Sequence, residues 1–131
     1  MHAHLKKVAS EDSYPHEKKT ILRKALLRLA EHLGLSRREL SCILGSSESS
    51  LSRLYDGKRF IDPLSKEGEL AVLLLRLYRS LDALFGGNNQ QCQLWLRSNN
   101  THLGGVPIQL LQSIQGLITV LAYLDAMRGK N

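Results

Sequence analysis

The stretch from Ser36 to Gly57 constrains the fold of this chain most, because it reads as two short helices joined by one glycine turn. Ser36-Arg-Arg-Glu39 is a capping box: the serine hydroxyl can accept the Glu39 backbone N–H while the Glu39 carboxylate reaches back to the serine N–H. Leu40, Ile43 and Leu44 then share one helical face. Gly45 suits the left-handed conformation that closes a helix, and Ser46 or Ser47 can cap a second one that turns Leu51 and Leu54 inward. Ser41 is small enough to let two helices cross closely, and Leu51 anchors the second against the core. That spacing is the one a helix-turn-helix requires. Ser46 stands directly after the turn glycine, where an aliphatic is usual.

With Leu51 and Leu54 inward, Ser49 and Arg53 must project outward, flanked by Ser47, Ser50 and Ser52. This is the surface a recognition helix offers to the major groove. Arg53 can take guanine O6 and N7 as a bidentate pair, whereas the serines can bond phosphates or any base edge. Glu48 can accept from a cytosine amine or serve as a partner of the helix dipole. Arg37 and Arg38 begin the first helix, where side chains touch backbone phosphates, and Lys58 and Arg59 extend that clamp. Charge agrees: the formal net charge is +6, with twelve basic and eight acidic residues through Pro63, so the excess leans toward this half. The expected partner is double-stranded operator DNA.

Around this motif the chain organises into three parts. Residues 1–16 are polar, pass through Tyr14-Pro15 and read as a flexible tail. Residues 17–63 form the helix-turn-helix domain. Its first helix, from about Glu17 to Leu33, has an apolar stripe of Ile21, Leu22, Ala25, Leu26, Leu29, Ala30 and Leu33, and Gly34 stops it. Gly57 to Pro63 is a loop. Residues 64–131 form a helical dimerisation and partner-binding domain. There Ser65 caps a long helix reaching Phe85, Gly86-Gly87 ends it, and a polar turn covers 88–91. A short helix with Trp95 and Leu96 follows, then a loop from Asn99 to Gly105 and a brief helix from Pro107 to Leu111. Ser113 caps a last helix through Met127, striped with Leu117, Val120, Leu121, Leu124 and Met127. Gly116 inside it costs about 1 kcal/mol relative to alanine, which predicts that another helix approaches closely there. No strand-like alternation occurs, so the expected fold is all-α.

Catalytic readings find no support. The histidines His2, His4, His16, His32 and His102 form no His-x-x-x-His pair and have no carboxylate at metal-ligand spacing. Gly104-Gly105 lacks the strand a phosphate loop needs, and Asp82 and Asp125 are isolated on separate helices. The expectation is a binder, not an enzyme, with no metal and no cofactor. Cys42 and Cys92 are far apart, which argues against a disulfide framework and for a reducing cytoplasm; Cys42, beside Ile43, reads as a small core residue. The first residues lack the apolar run of a secretory signal. The run from Leu70 to Phe85 is interrupted by Arg76, Arg79 and Asp82 and is too short to span a bilayer, so no membrane is expected.

Behind the helix-turn-helix comes an ordered set: Trp95-Leu96, Asn100, Leu103-Gly104-Gly105, Pro107, Leu110-Leu111, Gly116, Val120, Leu124 and Gly129. With an Xre-like helix-turn-helix before it, this arrangement resembles the Xre/MbcA/ParS family of antitoxins over about residues 20 to 129. The resemblance implies a homodimeric antitoxin of a type II toxin-antitoxin module. Its partner would be a RES-domain toxin that attacks NAD or uses it for ADP-ribosyl transfer. The C-terminal domain would close the toxin's active-site entrance, and the complex would repress its own operon. By position, the toxin-facing residues would be Trp95, Asn99, Asn100, Leu103, Gly104, Gly105 and Pro107, then Met127, Arg128, Gly129, Lys130 and Asn131. The alternative is a stand-alone dimeric helix-turn-helix repressor.

Overall fold

The computed structural model describes residues 2–129, with side chains from residue 16 onward, as an all-α bundle. Met1 lies outside the described residues, as do Lys130 and Asn131, two of the expected toxin-facing positions. In chain order the helices are α1 (His2–Leu33), α2 (Arg37–Leu44), α3 (Glu48–Tyr55), α4 (Lys66–Leu84), α5 (Asn89–Arg97), α6 (Pro107–Leu110) and α7 (Ile114–Gly129). The helix begins well ahead of Glu17, where the sequence suggests a tail. Ala3, Leu5, Lys6, Lys7, Ala9 and Glu11 are good helix formers, and they carry α1 back to His2. An isolated bridge pairs Asn100 with Gly105, the one extended pairing among the described residues.

Local signals set most boundaries. Ser36, Ser47, Ser65 and Asn88 each sit in extended backbone and accept a main-chain N–H three residues on. Asn88 therefore opens α5 where a polar turn was expected. Gly34 and Gly45 have φ of +65° and +69°, the left-handed conformation that ends α1 and α2.

The helices share one core. Leu22, Leu26, Leu29 and Leu33 of α1 pack with Leu40, Leu51 and Leu54 of the helix-turn-helix, Leu74 and Leu77 of α4, Leu96 of α5, and Leu117, Val120 and Leu124 of α7. The long α4 lies at the centre, packing against α1, α2, α5 and, most extensively, α7. Three stripe members depart from the expected burial. Ile21 is 67% exposed and Met127 40%, because each sits at the edge of its stripe, and Ala25 is half-buried. Cys42 is exposed, not in the core: two residues from both Leu40 and Leu44, it is turned roughly 200° away from their face.

Two glycines mark backbone crossings. A Cβ on Gly116 would sit 1.8 Å from the Leu110 carbonyl oxygen, so the close approach expected there is made by the end of α6. A Cβ on Gly68, in the first turn of α4, would sit 2.1 Å from the Asp62 carbonyl oxygen.

Candidate functional site

The helix-turn-helix is built as its sequence dictates and then braced by charges from outside it. Ser36 Oγ accepts Glu39 N–H at 3.0 Å and Glu39 Oε1 accepts Ser36 N–H at 2.9 Å, completing the capping box. Ser41 is buried and its hydroxyl donates to the Arg38 carbonyl at 2.8 Å, so the crossing point holds no unpaired polar group. Ser47 Oγ caps α3 by accepting Ser50 N–H at 3.1 Å.

Two arginines hold α3 at its ends. Arg23 of α1 donates from Nε to the Leu54 carbonyl at 2.7 Å and from its Nη2 to the Tyr55 carbonyl at 2.9 Å. These carbonyls belong to the last turn of α3, and a cation there also opposes the negative end of the helix dipole. Arg59 donates from Nε to the Ser50 carbonyl at 2.7 Å and makes a two-pronged pair with Glu67 at 2.9 and 2.8 Å. Ser46 Oγ donates to the same carboxylate. The polar residue after the turn glycine is thus explained, since it gives Glu67 a third donor beside the two prongs of Arg59. Burial alone would raise the Glu67 carboxyl, but Arg59 and Ser46 together hold it below its ordinary value.

These contacts sort the residues expected to face DNA. Ser47 at the cap and Glu48, Ser49 and Arg53 on α3 are exposed, with Ser50 and Ser52 half-buried at its sides. Arg37 and Arg38 are exposed at the start of α2, with the Arg37 guanidinium 4.3 Å from the centre of the Tyr55 ring. Lys58 is exposed directly after α3, its N–H bonded to the Arg53 carbonyl at 2.9 Å. Arg59 is the correction. Both prongs of its guanidinium are taken by Glu67, so it anchors the loop instead of extending a phosphate clamp.

The second surface lies on α5, the loop after it, and α7. Trp95 stacks on Tyr123 with ring centres 6.4 Å apart and planes 18° from parallel, and His102 lies against the other ring at 6.1 Å. Tyr123 and His102 were missed in the sequence reading. The signal for Tyr123 was its place one turn before the exposed Met127 and beside the buried Leu124. Of the expected positions, Asn99 and Gly104 are exposed and Leu103 is half-buried. Asn100 works within the loop: its side chain accepts Leu103 N–H at 3.1 Å and its backbone closes on Gly105 at 2.8 Å. Pro107 is buried at the first turn of α6, so it fills the core and cannot face a partner. Arg128 donates to Ser80 Oγ at 3.0 Å, and that hydroxyl in turn donates to Asp125 Oδ1 at 2.8 Å. Asp125, which also pairs with Arg76 at 3.2 Å, is therefore not isolated; it helps tie α7 to α4.

One ion pair joins the two surfaces. Arg97 at the end of α5 grips Glu39 at 2.8 Å through two nitrogens and donates to the Gly34 carbonyl at 2.8 Å. The Arg97 guanidinium is the main reason the Glu39 carboxyl is lowered to about 2 from an ordinary 4.5, burial opposing the shift. A depressed carboxylate stabilises the fold above its ordinary value and loses that contribution as pH falls toward the folded value. Unfolding by urea should therefore show Glu39→Gln destabilised on the order of 1–2 kcal/mol at pH 6, with the gap to wild type closing between pH 4.5 and 2. Partial exposure of the pair keeps the figure small.

Two known families match the chain. Residues 12–76 match the antitoxin Xre-like helix-turn-helix domain. Residues 80–130 match the antitoxin Xre/MbcA/ParS C-terminal toxin-binding domain. No curated protein matches the chain at a significant level. Both matched segments run into α4, whose residues end the first and begin the second. No helix among the described residues is long and apolar enough to cross a membrane.

Proposed function

The chain belongs to the Xre/MbcA/ParS antitoxins, carrying their Xre-like helix-turn-helix and their C-terminal toxin-binding domain, and from that premise we propose that it neutralises a RES-domain, NAD-consuming toxin and represses its own operon. The observation that carries this reading is the ring cluster of Trp95, Tyr123 and His102, which lies within the segment matched to the toxin-binding domain. Trp95 and Tyr123 are half-buried and His102 is exposed, and aromatics with an apolar body and a polar edge are the residues that dominate binding energy at protein interfaces. In this reading the rings anchor the toxin, and the Asn99 to Gly105 turn and the end of α7 cover the entrance of its catalytic cleft. Inhibition is steric. The antitoxin contributes no chemistry of its own.

The test is recovery of the tagged chain from its native cells, followed by native mass spectrometry. The expected result is a stoichiometric partner that consumes NAD once separated and is silent while bound. Tyr123→Ser should weaken that complex at least tenfold, through loss of the central ring of the stack. A lone homodimer that shifts its own promoter DNA would overturn the reading in favour of a stand-alone repressor.

Operator binding has its own signature. Arg53→Ala should cost about 1–3 kcal/mol of operator affinity and relax base choice at one position, as loss of a bidentate guanine contact does. Lys58→Ala should weaken all sequences alike and reduce the slope of affinity against salt by about one. Electrophoretic shift titrations at two salt concentrations separate the two. In a two-fold homodimer the half-sites would lie about 34 Å apart, one helical turn of DNA, or a multiple of it.

A further inference from the structure

Two adjoining cavities run along the seam between α1 and α4, and a third opens beside them over α4 and Pro63. The first, of about 350 Å³, is floored by Ile21, Ala25, Leu75 and Tyr78. The second, of about 250 Å³, shares Ile21, Ala25 and Leu75 and adds Val72 and Pro63. The third, of about 370 Å³, continues past Pro63 and Val72 to Leu73. Together they make one open apolar groove, in which Ile21 is 67% exposed and Val72 43%. Along the seam its α4 wall, residues 72–79, is about 10 Å long by helical rise, which matches roughly seven residues of a third helix laid between the two. Positions 18, 21, 25 and 28 of α1 and 72, 75 and 79 of α4 recur at helical spacing, so each wall is a ridge that another helix can pack against.

The rim is mainly cationic. Lys18, Lys24 and Arg28 line it from α1 and Arg76 and Arg79 from α4, against the carboxylate of Glu69. Arg76 is engaged by Asp125, whereas Lys24, Arg28 and Arg79 make no ion pair among the described residues.

We propose that this groove docks an amphipathic helix of a partner protein, one whose apolar face is edged by acidic side chains. The apolar floor takes the helix's hydrophobic stripe, and the cations on the two walls meet its carboxylates. A second copy of this chain does not fit. Two-fold pairing of the face with itself would bring one cationic rim onto another. DNA does not fit either. Arg23, which holds the end of α3, lies roughly 160–200° around α1 from Ile21 and Ala25, so the groove faces away from the recognition helix. The floor and the cationic rim lie within residues 18–28 and 63–79, outside the segment 80–130 matched to the toxin-binding domain, so this surface does not depend on the proposed toxin contact.

Fluorescence anisotropy of the full chain with a labelled synthetic helix tests this. The probe is a peptide with leucines at i, i+3, i+4 and i+7 and glutamates along both edges of that stripe; its control carries lysines in place of the glutamates. The expected result is micromolar binding of the acidic peptide, at least tenfold tighter than the basic one and weakened by salt. Paired Arg28→Glu and Arg79→Glu should weaken it at least tenfold, and Ile21→Asp should abolish it; all three side chains are exposed, so the melting temperature should hold. Equal binding of both peptides by the wild-type chain, or unchanged binding by the charge-reversed variant, would overturn the proposal. So would a dimer that Ile21→Asp converts to monomer in sedimentation, which would make the occupant a second copy. A loss of promoter affinity in the charge-reversed variant as large as that in Lys58→Ala would overturn it in favour of DNA.

Discussion

Replacing Gly68 by alanine should lower the melting temperature by roughly 10–15 °C, a loss of at least about 3 kcal/mol. Alanine normally improves a helix interior, and at an exposed helical site Gly→Ala stabilises by about 1 kcal/mol. Here the sign reverses. The added methyl would lie 2.1 Å from the Asp62 carbonyl oxygen and 2.8 Å from the Pro63 Cα, both backbone atoms that no rotamer change can move aside. The chain reaches this crossing because Ile61 is fully buried and Ser65 must cap α4 four residues later, its hydroxyl also donating to the Asp62 carbonyl at 2.6 Å. Relief requires either pulling Ile61 from the core or unwinding the first turn of α4. Thermal unfolding followed by circular dichroism measures the loss. A melting temperature equal to or above that of wild type would mean the loop can retreat without moving Ile61.

That crossing also marks the boundary between what residues declare locally and what they do not. The capping serines, the left-handed glycines and the apolar stripes all act over three or four positions, so the all-α fold and the helix-turn-helix could be read directly. Gly68 could not, because a glycine near a helix start looks like a weak helix residue until the path of Asp62-Pro63 is known. The same holds for charge. Arg59 has the type and position of a phosphate contact, and only the fold shows Glu67 within its reach. Arg97 and Glu39 are 58 residues apart, and Arg23 reaches carbonyls more than thirty residues away. On the C-terminal surface, Trp95 stood out as a bulky residue, but its ring partners Tyr123 and His102 come from a different helix and from the loop. Pro107 fits both an exposed turn and a buried first helical turn by sequence; packing against the core decided for the latter.

Glu67→Ala should cost about 2–4 kcal/mol of stability, and its effect on operator DNA should exceed that of deleting any one exposed serine of α3. The carboxylate is largely buried, with about a fifth of the side chain exposed, and it satisfies three donors: both prongs of Arg59 and the Ser46 hydroxyl. Removing it leaves a largely buried guanidinium without its counter-charge, which costs more than the net worth of the pair. The double variant with Arg59→Ala removes that orphan charge and should recover part of the loss; the cycle isolates the coupling. Glu67→Gln keeps the shape and one acceptor, so it should fall between wild type and alanine. The consequence for DNA follows from what the cluster joins. Ser46 begins the turn into α3, Arg59 holds the Ser50 carbonyl, and Lys58 stands between Arg59 and the end of the helix. Loosening the cluster shifts the proposed phosphate contact of Lys58 and the pitch of the proposed recognition helix together, so Glu67→Ala should weaken binding to every sequence and blur base choice as well. Shift titrations well below the variant's melting temperature would separate this positioning effect from unfolding. Wild-type affinity there would show that Arg23 alone suffices to hold α3.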